Sequence, residues 1–286
     1  MYDTAIIGSG PAGLSAALNL KLHNKDVIWF GSGELSSKVE KSEKIANYPG
    51  PGMIAGTELN RCFKEQMEAM EIQPTDKMVT TVMAGASGYQ LLAGNDIYEA
   101  RTLLLAIGSV SAKGFPGEEK LLGRGVSYCA TCDGFLYRGK TIAVYCGDRR
   151  FEHEVSYLAE LAEKVYLSVP YADSGIGLSN VERLSKPIRQ VAGEARVSGI
   201  VLADQTEINV DGLFCLRGAV APAALLPDLA MDGAHIIVNR RMETNLPGCY
   251  AAGDCTGRPY QIAKAVGEGN VAAHSILDYL SLTAMP

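Results

Sequence analysis

The residues of this 286-residue chain best suited to chemistry are Cys129 and Cys132, in the run Cys129-Ala130-Thr131-Cys132-Asp133. Two thiols at this spacing can close and open a disulfide with little backbone movement. Thiolate attack on a partner disulfide passes through a mixed disulfide, so one cysteine attacks and the second resolves. A polar loop precedes the run and a short apolar stretch follows, which predicts a helix start, where the helix dipole favours a thiolate. Asp133 is placed to exchange a proton with one of the thiols. A metal site would need about four ligands. With four scattered histidines there is no second pair at metal-binding spacing, so no metal is expected. Cys62, Cys146, Cys215, Cys249 and Cys255 are isolated in apolar surroundings and read as small buried hydrophobes of a reducing compartment.

A second set is the turn Gly8-Ser9-Gly10-Pro11-Ala12-Gly13. In a dinucleotide fingerprint the first glycine makes the turn, the second lets backbone approach pyrophosphate, and the third lets helix pack on strand. The N-terminus of the following helix supplies donors for the phosphates. A strand pattern precedes the turn, a helical pattern follows, and Glu34 lies about twenty residues on, where an acid would hold ribose hydroxyls. These residues point to a dinucleotide and leave its identity open.

The elements that must position these two sets read as an α/β chain. Residues 3–7 alternate toward an apolar strand, 14–22 repeat at helical spacing, and 27–30 return as strand. Residues 31–56 are rich in Gly, Ser and Lys and read as a long functional loop. Thr57 is expected to cap a helix ending near residue 71. Short alternating runs over 78–101, broken at Gly85, Gly88 and Gly94, predict a β-meander that returns to a strand at 103–107. At 108–125 Gly, Ser, Pro and charges cluster, marking a first crossing. A second strand-turn-helix-strand unit follows at 141–145, 151–162 and 164–169, with strand-like pieces at 199–203 and 213–216. Residues 242–247 offer the crossing back to a strand at 249–252 and a helix at 261–280. The expected architecture is two Rossmann-like domains, a discontinuous one of residues 1–112 and 245–286 and a smaller inserted one of residues 113–244 that carries the dithiol.

Twenty-six Lys and Arg against 32 Asp and Glu give a formal net charge of −6, which argues against a general nucleic-acid binder, since phosphates call for clustered cations. Partners are expected to be small molecules or proteins. The apolar stretch 213–231 is interrupted by Arg217, Pro222, Pro227 and Asp228, so no membrane span is expected there. The chain enters a strand pattern without a basic region and apolar segment before it, so no signal peptide and a cytoplasmic location are expected.

The run Gly8-Ser9-Gly10-Pro11-Ala12-Gly13, with Asn47-Tyr48-Pro49-Gly50, Ala106-Ile107-Gly108, Cys129-Ala130-Thr131-Cys132-Asp133-Gly134 and Ala251-Ala252-Gly253-Asp254, resembles the low-molecular-weight thioredoxin reductases. The resemblance implies a homodimeric flavoprotein with FAD at the first turn. It places Asp254 on the ribityl chain, Gln261 and Ile262 beside the pyrimidine edge of the flavin, and Asn47 near the isoalloxazine ring. It also draws Val79, Ala106 and Gly108 into the cofactor-binding set. Cys132 would face the flavin, and Cys129 would attack the protein substrate after the domains rotate. Lys38 stands where the family usually has Gln. Near a flavin its charge would favour an anionic reduced form, whereas an ordinary loop lysine is simply solvated.

Members of that family that use NADPH carry a second glycine fingerprint and a basic motif for the 2′-phosphate. Here the turn reads Tyr145-Cys146-Gly147-Asp148-Arg149-Arg150-Phe151. One glycine remains, Asp148 puts negative charge where pyrophosphate would lie, and Phe151 replaces a small residue. The next strand ends Ser168-Val169-Pro170-Tyr171, without clustered arginines. No NADPH binding is therefore expected. This departure resembles the ferredoxin-dependent flavin thioredoxin reductases, in which single electrons pass from an iron–sulfur protein to FAD and then as a pair to the disulfide. The resemblance is close over residues 1–135 and 245–280 and fold-level between them. It implies ferredoxin as donor and thioredoxin as substrate. Two other readings stay open: a dithiol oxidase that passes electrons to oxygen, and a non-catalytic flavin-bound redox sensor. Arg149 and Arg150 with Lys38, Lys41 and Lys44 are candidates for a surface that docks an acidic ferredoxin; taken singly, each reads as ordinary solvated charge.

Overall fold

A computed structural model of the chain describes residues 1–108, 114–128, 130–172, 174–217 and 221–283. The first part runs β1 (Tyr2–Ile7), α1 (Pro11–Leu22), β2 (Val27–Phe30), α2 (Ser37–Glu40), α3 (Gly56–Ala69), β3 (Val79–Gly85), β4 (Gly88–Ala93) and β5 (Asp96–Leu105). The middle part runs β6 (Val126–Ser127), α4 (Ala130–Asp133), β7 (Thr141–Cys146), α5 (Glu152–Leu161), β8 (Lys164–Ser168), β9 (Val181–Arg183), β10 (Ile188–Ala192), β11 (Gly199–Leu202), β12 (Glu207–Asn209) and β13 (Gly212–Leu216). The last part runs α6 (Pro222–Leu225), β14 (Met231–Asp232), β15 (His235–Ile236), β16 (Cys249–Ala251) and α7 (Ile262–Thr283). These elements divide into two compact units, residues 1–111 with 225–286, and residues 112–224.

In the first unit β1 lies between β2 and β5 in parallel register, β16 adds to β5 in parallel, and β3 and β4 extend the sheet as an antiparallel meander. Helix α1 is made almost wholly of small and aliphatic residues and is buried along most of its length, because α7 covers the face that the sheet does not. Small side chains permit that approach: a Cβ on Gly269 of α7 would lie 2.2 Å from the Ala12 carbonyl oxygen, and Ser15 Oγ donates to Val266 O at 2.8 Å.

The second unit has a five-stranded parallel sheet in the order β6-β13-β7-β8-β9 and a three-stranded antiparallel sheet β10-β11-β12. Its core joins Ile142 and Val144 of β7, Val155 and Leu158 of α5, Val165 of β8 and Phe214 of β13. Among the described residues no helix is long and apolar enough to cross a membrane.

The structure departs from the sequence expectations at four places. The strand expected at 103–107 is the C-terminal half of β5, because one long strand pairs antiparallel with β4 near its start and parallel with β16 near its end. The supposed loop 31–56 contains α2, which Ser36 Oγ caps by accepting from Val39 N at 3.3 Å and which buries Val39. Helix α3 starts at Gly56, not at a Thr57 cap: Gly56 N donates to Ser42 O at 2.8 Å, and a Cβ there would lie 1.8 Å from Val39 O. The return boundary falls at 224/225, whereas 245 is expected from the sequence. Asn245 ties the intervening segment to the first unit, accepting from Ala230 N at 2.8 Å and donating to Asp228 O at 2.8 Å, and His235 Nε2 meets Tyr260 Oη at 2.7 Å.

Candidate active site

The glycine turn of the first unit joins β1 to α1, and its three glycines do different work. Gly8 has φ +113°, and a Cβ on it would stand 2.2 Å from Ala106 O. A Cβ on Gly13 would stand 1.9 Å from Gly8 O. Neither position has room for a side chain. Gly10 has φ −74° and nothing within 4 Å of a Cβ, so the space outside it is open. Pro11 opens α1 and no side chain caps it, which leaves the N–H groups around Ala12 and Gly13 for an external acceptor. Ser9 is buried, with Gly31 packed against its side chain.

Residues from the two ends of the sequence converge on this turn. Gly253 adopts φ +89°, and a Cβ on it would lie 3.0 Å from Ala12 Cβ, so the loop after β16 passes directly against the start of α1. Asp254 comes next, and its Oδ2 lies 3.7 Å from Lys38 Nζ. Asn47 Nδ2 donates to Gln261 Oε1, and Ile262 opens α7. The structure thus brings Lys38 to Asp254 and Asn47 to Gln261. Ala106 is buried against Gly8, and Gly108 takes φ +72° two residues on. Glu34 is exposed and ion-paired with Lys64 of α3. Val79 is buried at the head of β3, a few residues past Thr75, which bridges Phe30 at the end of β2.

In the second unit, Cys129 lies outside the described residues, as does the side chain of Cys132; the backbone of Cys132 belongs to α4, which begins at Ala130. Asp133 Oδ2 accepts from Ser127 Oγ at 2.6 Å, which orients the carboxylate. Glu154 of α5 packs against this segment. Burial pushes its carboxyl above the ordinary glutamate value, while His153 and the N–H of Ala130 favour its ionised form.

The second βα turn is built differently from the first. A short 3₁₀ turn, Arg149–Phe151, stands between β7 and α5, and Phe151 N donates to Asp148 O at 3.1 Å. Tyr171, just beyond β8, reaches back to the start of α5: its hydroxyl donates to Glu152 Oε1 at 3.1 Å and meets Cys146 Sγ at 3.4 Å. The Arg149 guanidinium lies over the Tyr171 ring, 5.6 Å from its centroid, and donates to Ala172 O at 3.1 Å; Arg183 donates to Tyr171 O at 2.7 Å. Burial pushes both the Tyr171 phenol and the Cys146 thiol up, so both stay protonated at neutral pH. The side chains of Tyr171 and Arg149 thus occupy the C-terminal ends of β7 and β8, the sheet edge at which a Rossmann unit takes its dinucleotide.

Residues 2–147 and 180–269 match the family described as pyridine nucleotide-disulphide oxidoreductase. The chain belongs to this family. Within it the chain is 31% identical to the thioredoxin reductase of Bacillus subtilis, covering 98% of this chain and 95% of that one, and 32% identical to the thioredoxin reductase of Treponema pallidum, covering 98% and 97%. A crystal structure of a ferredoxin-flavin thioredoxin reductase from Clostridium acetobutylicum superposes with a TM-score of 0.93 at 42% identity, covering 99% of this chain and 98% of that one. FAD is the cofactor that membership in this family brings. The turn fits such a dinucleotide, because Gly8 and Gly13 close strand, turn and helix together while Gly10 leaves the approach to α1 open.

For an oxidoreductase of this family the remaining thiols are of interest as possible rivals to Cys129 and Cys132. Burial raises Cys249 and Cys255 to about 12. Complete burial also pushes the Cys215 thiol well above the ordinary cysteine value, so all three are poor nucleophiles. Among the described residues no cluster of His, Cys, Asp and Glu could hold a metal ion. Four site residues escape a reading of the sequence: Tyr171, Glu154, Lys264 and Glu268. Tyr171 follows an unremarkable strand, and the other three read as surface charges on amphipathic helices until tertiary packing half-buries them.

Proposed function

We propose that this chain is a thioredoxin reductase that takes electrons from reduced ferredoxin, holds FAD in its first unit, and passes an electron pair through a Cys129–Cys132 disulfide to thioredoxin in the cytoplasm, as a homodimer. The observation that carries the choice of donor is the crevice of the second unit. Tyr171 lies across the start of α5 on Glu152 and Cys146, and the turn before it carries Asp148 in place of a glycine. A nicotinamide dinucleotide would have to displace these side chains and set its pyrophosphate beside carboxylates. The likeness to the ferredoxin-flavin thioredoxin reductase of Clostridium acetobutylicum supports the same donor.

Bound FAD would supply the store that turns single electrons into a pair. The chain's own residues would do the rest. The Cys129 thiolate attacks one sulfur of the thioredoxin disulfide, forming a mixed disulfide and expelling the other sulfur, which takes a proton. Cys132 then attacks the Cys129 sulfur, so that the Cys129–Cys132 bond forms as the mixed disulfide breaks and thioredoxin leaves as a dithiol. Asp133, oriented by Ser127, relays the proton between Cys132 and the departing sulfur. Lys38, beside Asp254, would place a cation at the cofactor seat.

The test is anaerobic absorbance of the purified flavoprotein with NADPH, NADH, or reduced ferredoxin added in turn, in the presence of thioredoxin. Reduced ferredoxin should bleach the flavin and generate thioredoxin thiols, and the two nicotinamides should do neither. Bleaching by NADPH at comparable rates overturns the donor assignment.

A further inference from the structure

We propose that Lys264 and Glu268 form a clamp that fixes the Gly253–Gly257 turn against α1, which makes Lys264 a positioning residue for FAD. The two residues are four apart on α7, a spacing that on an exposed helix face amounts to a weak surface pair. Here their side chains are only 16% and 19% exposed. Lys264 Nζ lies 2.8 Å from Gly253 O, 2.9 Å from Thr256 Oγ1, 2.9 Å from Gly257 O and 3.0 Å from Glu268 Oε2. Three ammonium protons thus meet four acceptors, three of them on one turn. Glu268 Oε2 also accepts from Gly253 N at 2.8 Å and Thr256 Oγ1 at 2.8 Å. Both backbone polar atoms of Gly253 are therefore held by α7.

The position of that turn matters because of what it carries and what it touches. Gly253 takes φ +89° with its Cα against Ala12, and the next residue is Asp254. A shift of the turn would move the Asp254 carboxylate relative to the N-terminus of α1. The clamp acts through Asp254, so the proposal rests on the reading of the first unit as the FAD seat with Asp254 as one of its contacts.

The test follows FAD release from the holoenzyme after dilution, by the rise of free-flavin fluorescence, alongside the melting temperature of FAD-stripped protein. The variants are Lys264→Met, Lys264→Arg, the isosteric Thr256→Val, and Asp254→Ala as a reference. Lys264→Met loses hydrogen bonds made by a charged donor, so release should accelerate about tenfold or more. Thr256→Val should move in the same direction by a smaller factor. Lys264→Arg, which keeps the charge and donors, should restore most of the retention. If Lys264→Met does not fold, Thr256→Val and Lys264→Arg decide the matter. Release at the wild-type rate from Lys264→Met or Thr256→Val, with Asp254→Ala releasing quickly, overturns the clamp and leaves the seat standing. Wild-type release from Asp254→Ala as well overturns both. A lower melting temperature of the stripped protein with unchanged release marks a merely structural role and also overturns the proposal.

Discussion

Replacing Gly10 with alanine should separate binding from folding in the glycine turn. Gly10 sits at φ −74° and ψ −179°, a conformation open to any L-residue, and a Cβ there meets nothing within 4 Å. The folded chain therefore accepts the methyl, and a compatible Gly→Ala change stabilises by about 0.4–1 kcal/mol through the unfolded state. The same methyl occupies the space through which a pyrophosphate would reach the backbone donors. Losing one hydrogen bond to a charged group costs about 1.5–3 kcal/mol. At about 1.4 kcal/mol per tenfold, FAD affinity should fall roughly ten- to hundredfold. Gly8→Ala provides the contrast. Its Cβ would stand 2.2 Å from Ala106 O at φ +113°, so the ends of β1 and β5 must part and folding should fail together with binding. The assay is flavin absorbance per chain after gel filtration, combined with thermal melting of FAD-stripped protein. Gly10→Ala should give a flavin-depleted protein that melts at or slightly above the wild type. A Gly10→Ala protein with full flavin and wild-type release refutes the placement of the pyrophosphate at this turn, and one that unfolds refutes the open-space argument.

Two further predictions concern the second unit. Glu118 is 1% exposed, accepts from Arg217 Nη1 at 2.6 Å and Tyr128 Oη at 3.0 Å, and receives Phe115 N at 2.7 Å. Glu118→Gln strands the Arg217 charge between the rings of Phe115 and Tyr145 and should lower stability in urea by about 3 kcal/mol, whereas a loss below about 1 kcal/mol refutes the ion pair's role. The raised Glu154 carboxyl gives a pH signature. Its folded-state value lies above 4.5, so its stabilising contribution is complete below that pH and is lost as pH rises through the folded-state value. Glu154→Gln stays neutral and can still accept from Ala130 N–H, so it should match the wild type near about pH 4 and melt higher at about pH 7. A melting difference that does not change with pH counts against burial as the cause.

Much of the scaffold was legible because its signals are local. The turn at Gly8–Gly13 lies between an alternating run and a helical repeat, and β1, α1 and β2 fall where those periods place them. The second strand-helix-strand unit was legible for the same reason, at β7, α5 and β8. The one-turn helix α2 was missed because a single Ser36 cap and one buried Val39 are too short a pattern for periodicity to register. No local pattern shows that the segment 225–244 groups with the first unit, because contacts such as His235 with Tyr260 join it to residues beyond β16.

By itself the sequence determined the chemistry on offer: a closely spaced dithiol followed by an acid, one complete glycine turn and one degraded one. Residue type and short spacing carry that information, because a missing Cβ at Gly8 or an added carboxylate at Asp148 acts within a single turn of backbone. Only tertiary structure decided which side chains stand together around those turns. Asn47 meets Gln261, Lys38 meets Asp254, and Tyr171 lies across the start of α5, each through contacts that link separate elements. Lys264 and Glu268 show the difference within one helix. The i, i+4 spacing is equally compatible with a solvated pair, and packing of α7 over α1 and the Gly253–Gly257 turn removes the water and leaves the backbone of that turn as their partner.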